Sequence, residues 1–109
     1  MAKLESAYQG ELISLIENDV LPGSLVLKND PGYLQGIPDL IILFEGQYAF
    51  LEVKRNATSP YQPNQEYYLE HLGRHAYTNT IYPDIQEEVL NELQQSFGIR
   101  GTTRVPKSK

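Results

Sequence analysis

The spacing of apolar residues switches between a helical and a strand-like period along the chain. Over residues 4 to about 18, Leu4, Tyr8, Leu12, Leu15 and Ile16 fall on one stripe at roughly 100° per residue, which predicts a first helix. Pro22-Gly23 stops it. Residues 24–28 predict a short strand, and Asn29-Asp30-Pro31-Gly32 is turn chemistry that Gly36 extends. Residues 40–44 and 48–54 predict two further strands, joined tightly through Glu45-Gly46-Gln47. In the second of these, Ala49, Leu51 and Val53 point one way, while Tyr48, Phe50, Glu52 and Lys54 point the other.

Residues 56–63 form a polar loop containing Pro60 and Pro63. Helical spacing returns over residues 64–72, with Tyr68 and Leu72 four apart, Tyr68 expected in the core and Gly73 expected to end the helix. Residues 76–82 suit a strand. Pro83-Asp84 is expected to open a last helix with Asp84 as its cap, Val89, Leu90, Leu93 and Phe97 on its apolar side, and Gly98 at its end.

The order is therefore helix, three strands, helix, strand, helix. Short connections make an antiparallel or mixed start of the three early strands, and a helical crossover adds the fourth. This predicts an α/β fold with a mixed central sheet flanked by helices. No Gly-rich turn follows the first strand, and no glycine-lysine-serine or glycine-lysine-threonine signature appears, so dinucleotide and P-loop folds are excluded. The length suits one small domain over residues 1–98, followed by a basic, flexible tail over 99–109 that carries Arg100, Arg104, Lys107 and Lys109.

Composition narrows the chemistry. The chain has no cysteine, which excludes disulfides and thiolate metal sites. His71 and His75 lack an HExxH context and read as surface or helix-end residues. The start of the chain shows no basic segment leading into an apolar block, and no run is long enough to span a bilayer. A cytoplasmic protein without a secretion signal or membrane contact is expected. The net charge of −5 argues against gripping nucleic acid through bulk positive charge.

Asp39 opens one apolar strand and Glu52 and Lys54 close the next, so charged groups sit on otherwise buried elements. A regular hairpin brings all three to one end of the sheet. Singly, Asp39 reads as a turn residue and Glu52 with Lys54 as an exposed ion pair. Together they supply what metal-assisted phosphodiester cleavage requires: oxygen ligands for a hard cation, and a lysine to orient water or stabilise charge on phosphate. The Val53 carbonyl lies between the two strand residues and can face the same cation. Glu5 falls inside the apolar stripe of the first helix, where an unpaired carboxylate is rarely left. It is preferred over Glu11 as a fourth acidic group, against the alternative of simple helix-start placement.

Gly36-Ile37-Pro38-Asp39, the apolar strand and Glu52-Val53-Lys54 together resemble the PD-(D/E)XK nuclease signature. Glu5 with Gln9, and Gln65 after Ser59, Pro60 and Pro63, resemble the VRR-NUC (virus-type replication-repair nuclease) branch, in its small stand-alone phage form. The match spans roughly residues 5–81. The resemblance implies a restriction-endonuclease-like αβββαβ core with an added C-terminal helix. It implies that Asp39, Glu52, the Val53 carbonyl and Glu5 hold Mg²⁺, with Mn²⁺ able to substitute. Lys54 would position water or stabilise the phosphate in flight, and Gln65 would orient Lys54 or contact DNA. The implied activity is that of a metal-dependent endodeoxyribonuclease cutting branched DNA, Holliday junctions above all, as a homodimer, in the host cytoplasm if the protein is phage-encoded.

The alternatives are a nuclease for flapped, nicked or plain duplex DNA, and a DNA-binding module without catalysis. Lys28, Arg55 and Arg74 are candidates for a local basic face toward DNA. Ser59 and Thr58 are candidates for loop shaping and phosphate contact, and Asn29 for ordering its turn. Tyr61 is the stacking candidate, with Tyr33, Tyr67 and Tyr68 adding aromatic content nearby. Phe50 is expected to wall the site.

Overall fold

The structure, a computed structural model, describes residues 5–29 and 34–98. The expectations for Leu4, for the Asp30-Pro31-Gly32 part of the turn, for Tyr33 and for the basic tail lie outside those residues. The elements are α1 (Glu5–Leu15), β1 (Leu25–Lys28), β2 (Leu40–Phe44), β3 (Gln47–Val53), α2 (Gln65–Gly73), β4 (Tyr77–Ile81) and α3 (Gln86–Ser96). The strands form one sheet in the order β1-β2-β3-β4. The first three are antiparallel, and β4 joins β3 in parallel after the α2 crossover. This is the mixed sheet with flanking and C-terminal helices that the hydrophobic spacing predicts. No helix among the described residues is long and apolar enough to cross a membrane.

One sheet face carries the core. Val26, Leu40, Ile42, Ala49, Leu51, Val53 and Ile81 meet Tyr8, Leu12 and Ile16 of α1 and Val89, Leu90, Leu93 and Phe97 of α3, all buried. Alternation along each strand puts every second side chain into that layer. The opposite face of β1 to β3 is less covered, leaving Leu25, Leu27, Leu43 and Tyr48 exposed.

Three local details differ from the sequence expectation. The first helix passes at Ile16–Val20 into a π-helical turn, closed by the Leu21 N–H on the Ile16 carbonyl at 2.8 Å. The wider turn buries Ile16 and Leu21, five apart, and lets the Glu17 carboxylate accept the Val26 N–H at 2.9 Å on the free edge of β1. That contact blunts an edge otherwise open to pairing. Asp84 does not cap the last helix. Pro83 opens a 3-10 turn over Pro83–Ile85, and Ile85 precedes α3 without a side-chain cap. Gly73 is the last residue of α2 but does not adopt a left-handed conformation, whereas Gly98, with φ of 77°, does so after α3.

The β2–β3 hairpin sets the register on which the site depends. Phe44 pairs with Gln47, so the turn is Glu45-Gly46, with φ of 49° and 80°. Positive φ at both positions matches the right-handed twist of the strands, and asparagine is favoured over glutamate at the first. Glu45→Asn is expected to stabilise the protein by about 0.5–1 kcal/mol. Urea unfolding checks this, and an unchanged or lowered midpoint contradicts it.

Candidate functional site

With Leu40 opposite Leu51, Asp39 arrives beside Val53. The Val53 N–H donates to Asp39 Oδ2 at 2.9 Å. Asn29, just after β1, bonds the two peptides that flank the Asp39 α-carbon: its N–H donates to the Asp39 carbonyl at 2.8 Å and its Nδ2 to the Pro38 carbonyl at 2.5 Å. Asp39 is thus fixed in main chain and side chain. Just before it, Gly36 has φ of 98°, and a Cβ there would meet Asn64 at 2.7 Å and the Pro63 carbonyl at 2.9 Å. This close approach, which only glycine permits, seats the Asp39 turn against the start of α2.

Glu52 and Lys54 share the strand face opposite the core, yet they are only 2% and 6% exposed. Gln65, the first residue of α2, joins them. Its Oε1 accepts from Lys54 Nζ at 2.9 Å and from the Gln62 N–H at 2.6 Å, while its Nε2 donates to Glu52 Oε2 at 2.5 Å. A lysine only donates and the Glu52 oxygen that faces Gln65 accepts, so a single orientation of the amide satisfies both neighbours. Lys54 Nζ also donates to the Pro60 carbonyl at 2.8 Å and lies 3.7 Å from Glu52 Oε2.

Glu52 Oε1 is the exception in this network. It is buried and meets no partner in good hydrogen-bond geometry among the described residues; the Asp39 carboxyl is the group close enough to share a proton with Glu52. Burial first, then the charge of Asp39, push the Glu52 carboxyl up to about 8 despite the opposing Lys54. Burial and Asp39 also raise Glu5. Acidic groups crowded closely enough to hold the Glu52 proton are what a bound cation relieves, by taking that proton's place. The donor set of Glu52, Asp39 and a neighbouring carbonyl is all oxygen, which fits a hard cation such as Mg²⁺.

Glu5, Lys28, Asn29, Gly36, Asp39, Glu52, Lys54, Arg55, Ser59 and Gln65 all line one cavity of about 650 Å³, with Gln9 of α1 beside Glu5. The carboxylates share the cavity without closing into one cage. Among the described residues, no three His, Asp or Glu side chains are grouped closely enough to hold an ion. Asp39 and Glu52 form the close pair, and Glu5 reaches Glu52 only as its smallest charge effect. The Val53 side chain enters the core, leaving only its main chain to the site.

Two candidates fall elsewhere. Arg74 follows the last residue of α2 and pairs with the exposed Glu70 at 3.3 Å. Nine residues of helix place it ~13 Å along the axis from Gln65, away from the cleft. Phe50 is half-buried against Tyr48 and does not line the cavity. Tyr68 is half-buried rather than core, and His71 and His75 are exposed. Tyr61 borders the site differently, its ring centroid 5.0 Å from Lys54 Nζ.

Sequence reasoning missed Asn56, whose Oδ1 accepts from the Thr58 N–H and from the Thr58 and Ser59 hydroxyls, at 3.0, 2.9 and 3.1 Å. The signal was an asparagine two residues before a threonine in a polar loop. It also missed the Pro60 carbonyl, for which no side-chain pattern exists.

No family model matches the chain, and no curated protein matches it. A solved structure described as "VRR_NUC domain protein" superposes with a TM-score of 0.66, covering 91% of this chain and 93% of that one at 17% identity. At that identity the likeness is one of fold.

The raised Glu52 carboxyl gives stability a pH dependence of definite sign. Its folded value of about 8 lies above its ordinary 4.5, so the folded state holds the proton more tightly. That contribution is complete below about pH 4.5 and is lost as pH rises through about 8. Without divalent cations, Glu52→Gln is expected to flatten the fall in melting temperature across this window. Parallel pH profiles for the two proteins contradict the burial account.

Proposed function

We propose that the chain is a metal-dependent endodeoxyribonuclease of the VRR-NUC type that hydrolyses phosphodiester bonds in branched DNA, with Holliday junctions as the preferred substrate. The observation that carries this reading is the orphaned, buried Glu52 oxygen facing Asp39 in a cleft that also holds Lys54. Buried side-chain acceptors are seldom left without a partner in good geometry.

Asp39 Oδ1, Glu52 Oε1 and the Val53 carbonyl are the atoms assigned to the cation. Glu5, on the far wall, is assigned a ligand role through water. A bound Mg²⁺ or Mn²⁺ supplies Lewis-acid activation of water and neutralises charge on the phosphate. The chain's own groups do the rest. Gln65 and the Pro60 carbonyl hold Lys54 Nζ by two of its protons, leaving one for the attacking water or a phosphate oxygen. Val53 and Asn29 keep Asp39 from turning outward. Arg55, Lys28 and Ser59, around the cavity, are assigned to the DNA backbone. Arg74 is left out of this assignment. Paired cuts across a junction call for two clefts, so the reading includes a homodimer.

The test incubates the protein with labelled four-way, flapped and linear DNA in Mg²⁺ or Mn²⁺. Symmetric cuts in the four-way DNA are expected, with Asp39→Asn and Glu52→Gln slowing them on the order of a thousandfold while DNA binding persists. Cutting that survives Glu52→Gln contradicts the assigned site. Equal cutting of all three DNAs contradicts the branched substrate.

A further inference from the structure

Next to the acidic cleft lies a second, shallower cavity of about 470 Å³, walled by Tyr61, Gln62, Pro63, Asn64, Glu66 and Tyr67. Gln62 lines both cavities, so they are neighbours on the loop that leads into α2. We propose that this second cavity is a binding site for an unpaired nucleobase adjacent to the phosphate held in the cleft. The proposal rests on the nuclease reading for its choice of DNA as ligand, but not on catalysis.

The lining chemistry selects the ligand. It contains neither lysine nor arginine and carries one carboxylate, so a phosphate would be repelled. It does offer two aromatic rings, two side-chain amides and a carboxylate acceptor. That set suits a neutral planar group with donors and acceptors on its edge, which describes a base taken out of its stack.

Both rings are exposed, yet both are held in place. Tyr67 is 57% exposed; its ring stacks on His71 at 5.1 Å and meets Tyr68 edge-on at 5.1 Å. Tyr61 is 42% exposed; its hydroxyl shares a hydrogen bond with Thr80 Oγ1 at 2.9 Å. A fixed aromatic platform stacks a base with little further loss of side-chain freedom. These contacts make the stacking surface a built feature rather than two stray tyrosines.

Tyr61 belongs to both compartments. It walls the second cavity, and its ring lies against the Lys54 ammonium. A base seated there restrains the ring that packs on Lys54. Selection for DNA with an unpaired base beside the scissile phosphate follows from that shared side chain, without any positively charged recognition surface.

The test measures binding by fluorescence anisotropy in a Glu52→Gln background, so that no DNA is cut. Two probes are compared: a duplex with one bulged base, and the same duplex with an abasic site at the bulge. The bulged base is expected to bind about 5- to 150-fold tighter. Adding Tyr67→Leu or Tyr61→Leu is expected to bring the ratio to near one, mainly by weakening the base-bearing probe. Tyr67→Phe, which keeps the ring, is expected to preserve it. Thermal melting identifies any variant that fails to fold, and the other leucine variant, with the comparison of the two probes on the unsubstituted tyrosines, then carries the test. Equal binding of the two probes before any tyrosine is changed overturns the proposal, as does a ratio that persists in both leucine variants. Failure of the nuclease reading registers separately, as base-dependent binding by a protein whose unsubstituted form cuts nothing.

Discussion

A carboxylate buried on a strand end, with one oxygen engaged and the other without a partner, is the constraint around which this site is organised. Glu52 is 2% exposed, and a charge so placed is costly unless neighbours answer it. Gln65 and Lys54 answer one oxygen. The proximity of Asp39 makes the other worse. The surrounding architecture serves to hold this arrangement. The Glu45-Gly46 turn sets the register that brings Asp39 to Val53. Asn29, just after β1, bonds the Pro38 and Asp39 carbonyls, and Gly36 lets the Asp39 turn press against Asn64 at the start of α2.

The division of the sheet into two faces explains how a small chain tolerates such a site. The layer of Leu51, Val53, Ile81 and the α1 and α3 side chains provides the hydrophobic stabilisation. Glu52 and Lys54, alternating with those residues, reach the opposite face without interrupting the core. Polar chemistry is thereby confined to the sheet end where the loop of residues 54–64 can close over it. Buried polar networks of this kind are stable only when their members are satisfied, and this one lacks a single partner.

Much of this was legible in the sequence because period-two alternation and a two-residue turn leave little freedom. Ala49, Leu51 and Val53 against Glu52 and Lys54 assigned the faces, and the hairpin carried Asp39 to the correct end. The resemblance at Gly36, Asp39, Glu52, Lys54 and Gln65 concerned residues that the fold does bring into one cavity. Other parts were not legible. Periodicity does not distinguish an α-helix from the π turn at Ile16–Val20. Pro83 and Asp84 are equally good signals for a cap and for the 3-10 turn that forms. Arg74 seemed close to Gln65 in sequence, but the length of α2 separates them. The grip of the Pro60 carbonyl on Lys54 leaves no mark in residue identities, because it is made by main chain.

The function proposed for the cleft stands or falls with cation binding at the Glu52 carboxyl. Calorimetric titration of Mg²⁺ at about pH 7 in buffers of different ionisation enthalpy tests it most directly. Because burial and Asp39 hold the Glu52 carboxyl at about 8, cation binding should displace its proton. Release of on the order of one proton per ion bound is expected, lost together with Mg²⁺ binding in Glu52→Gln. Binding heat independent of the buffer, or Mg²⁺ binding unchanged in Glu52→Gln, would contradict it.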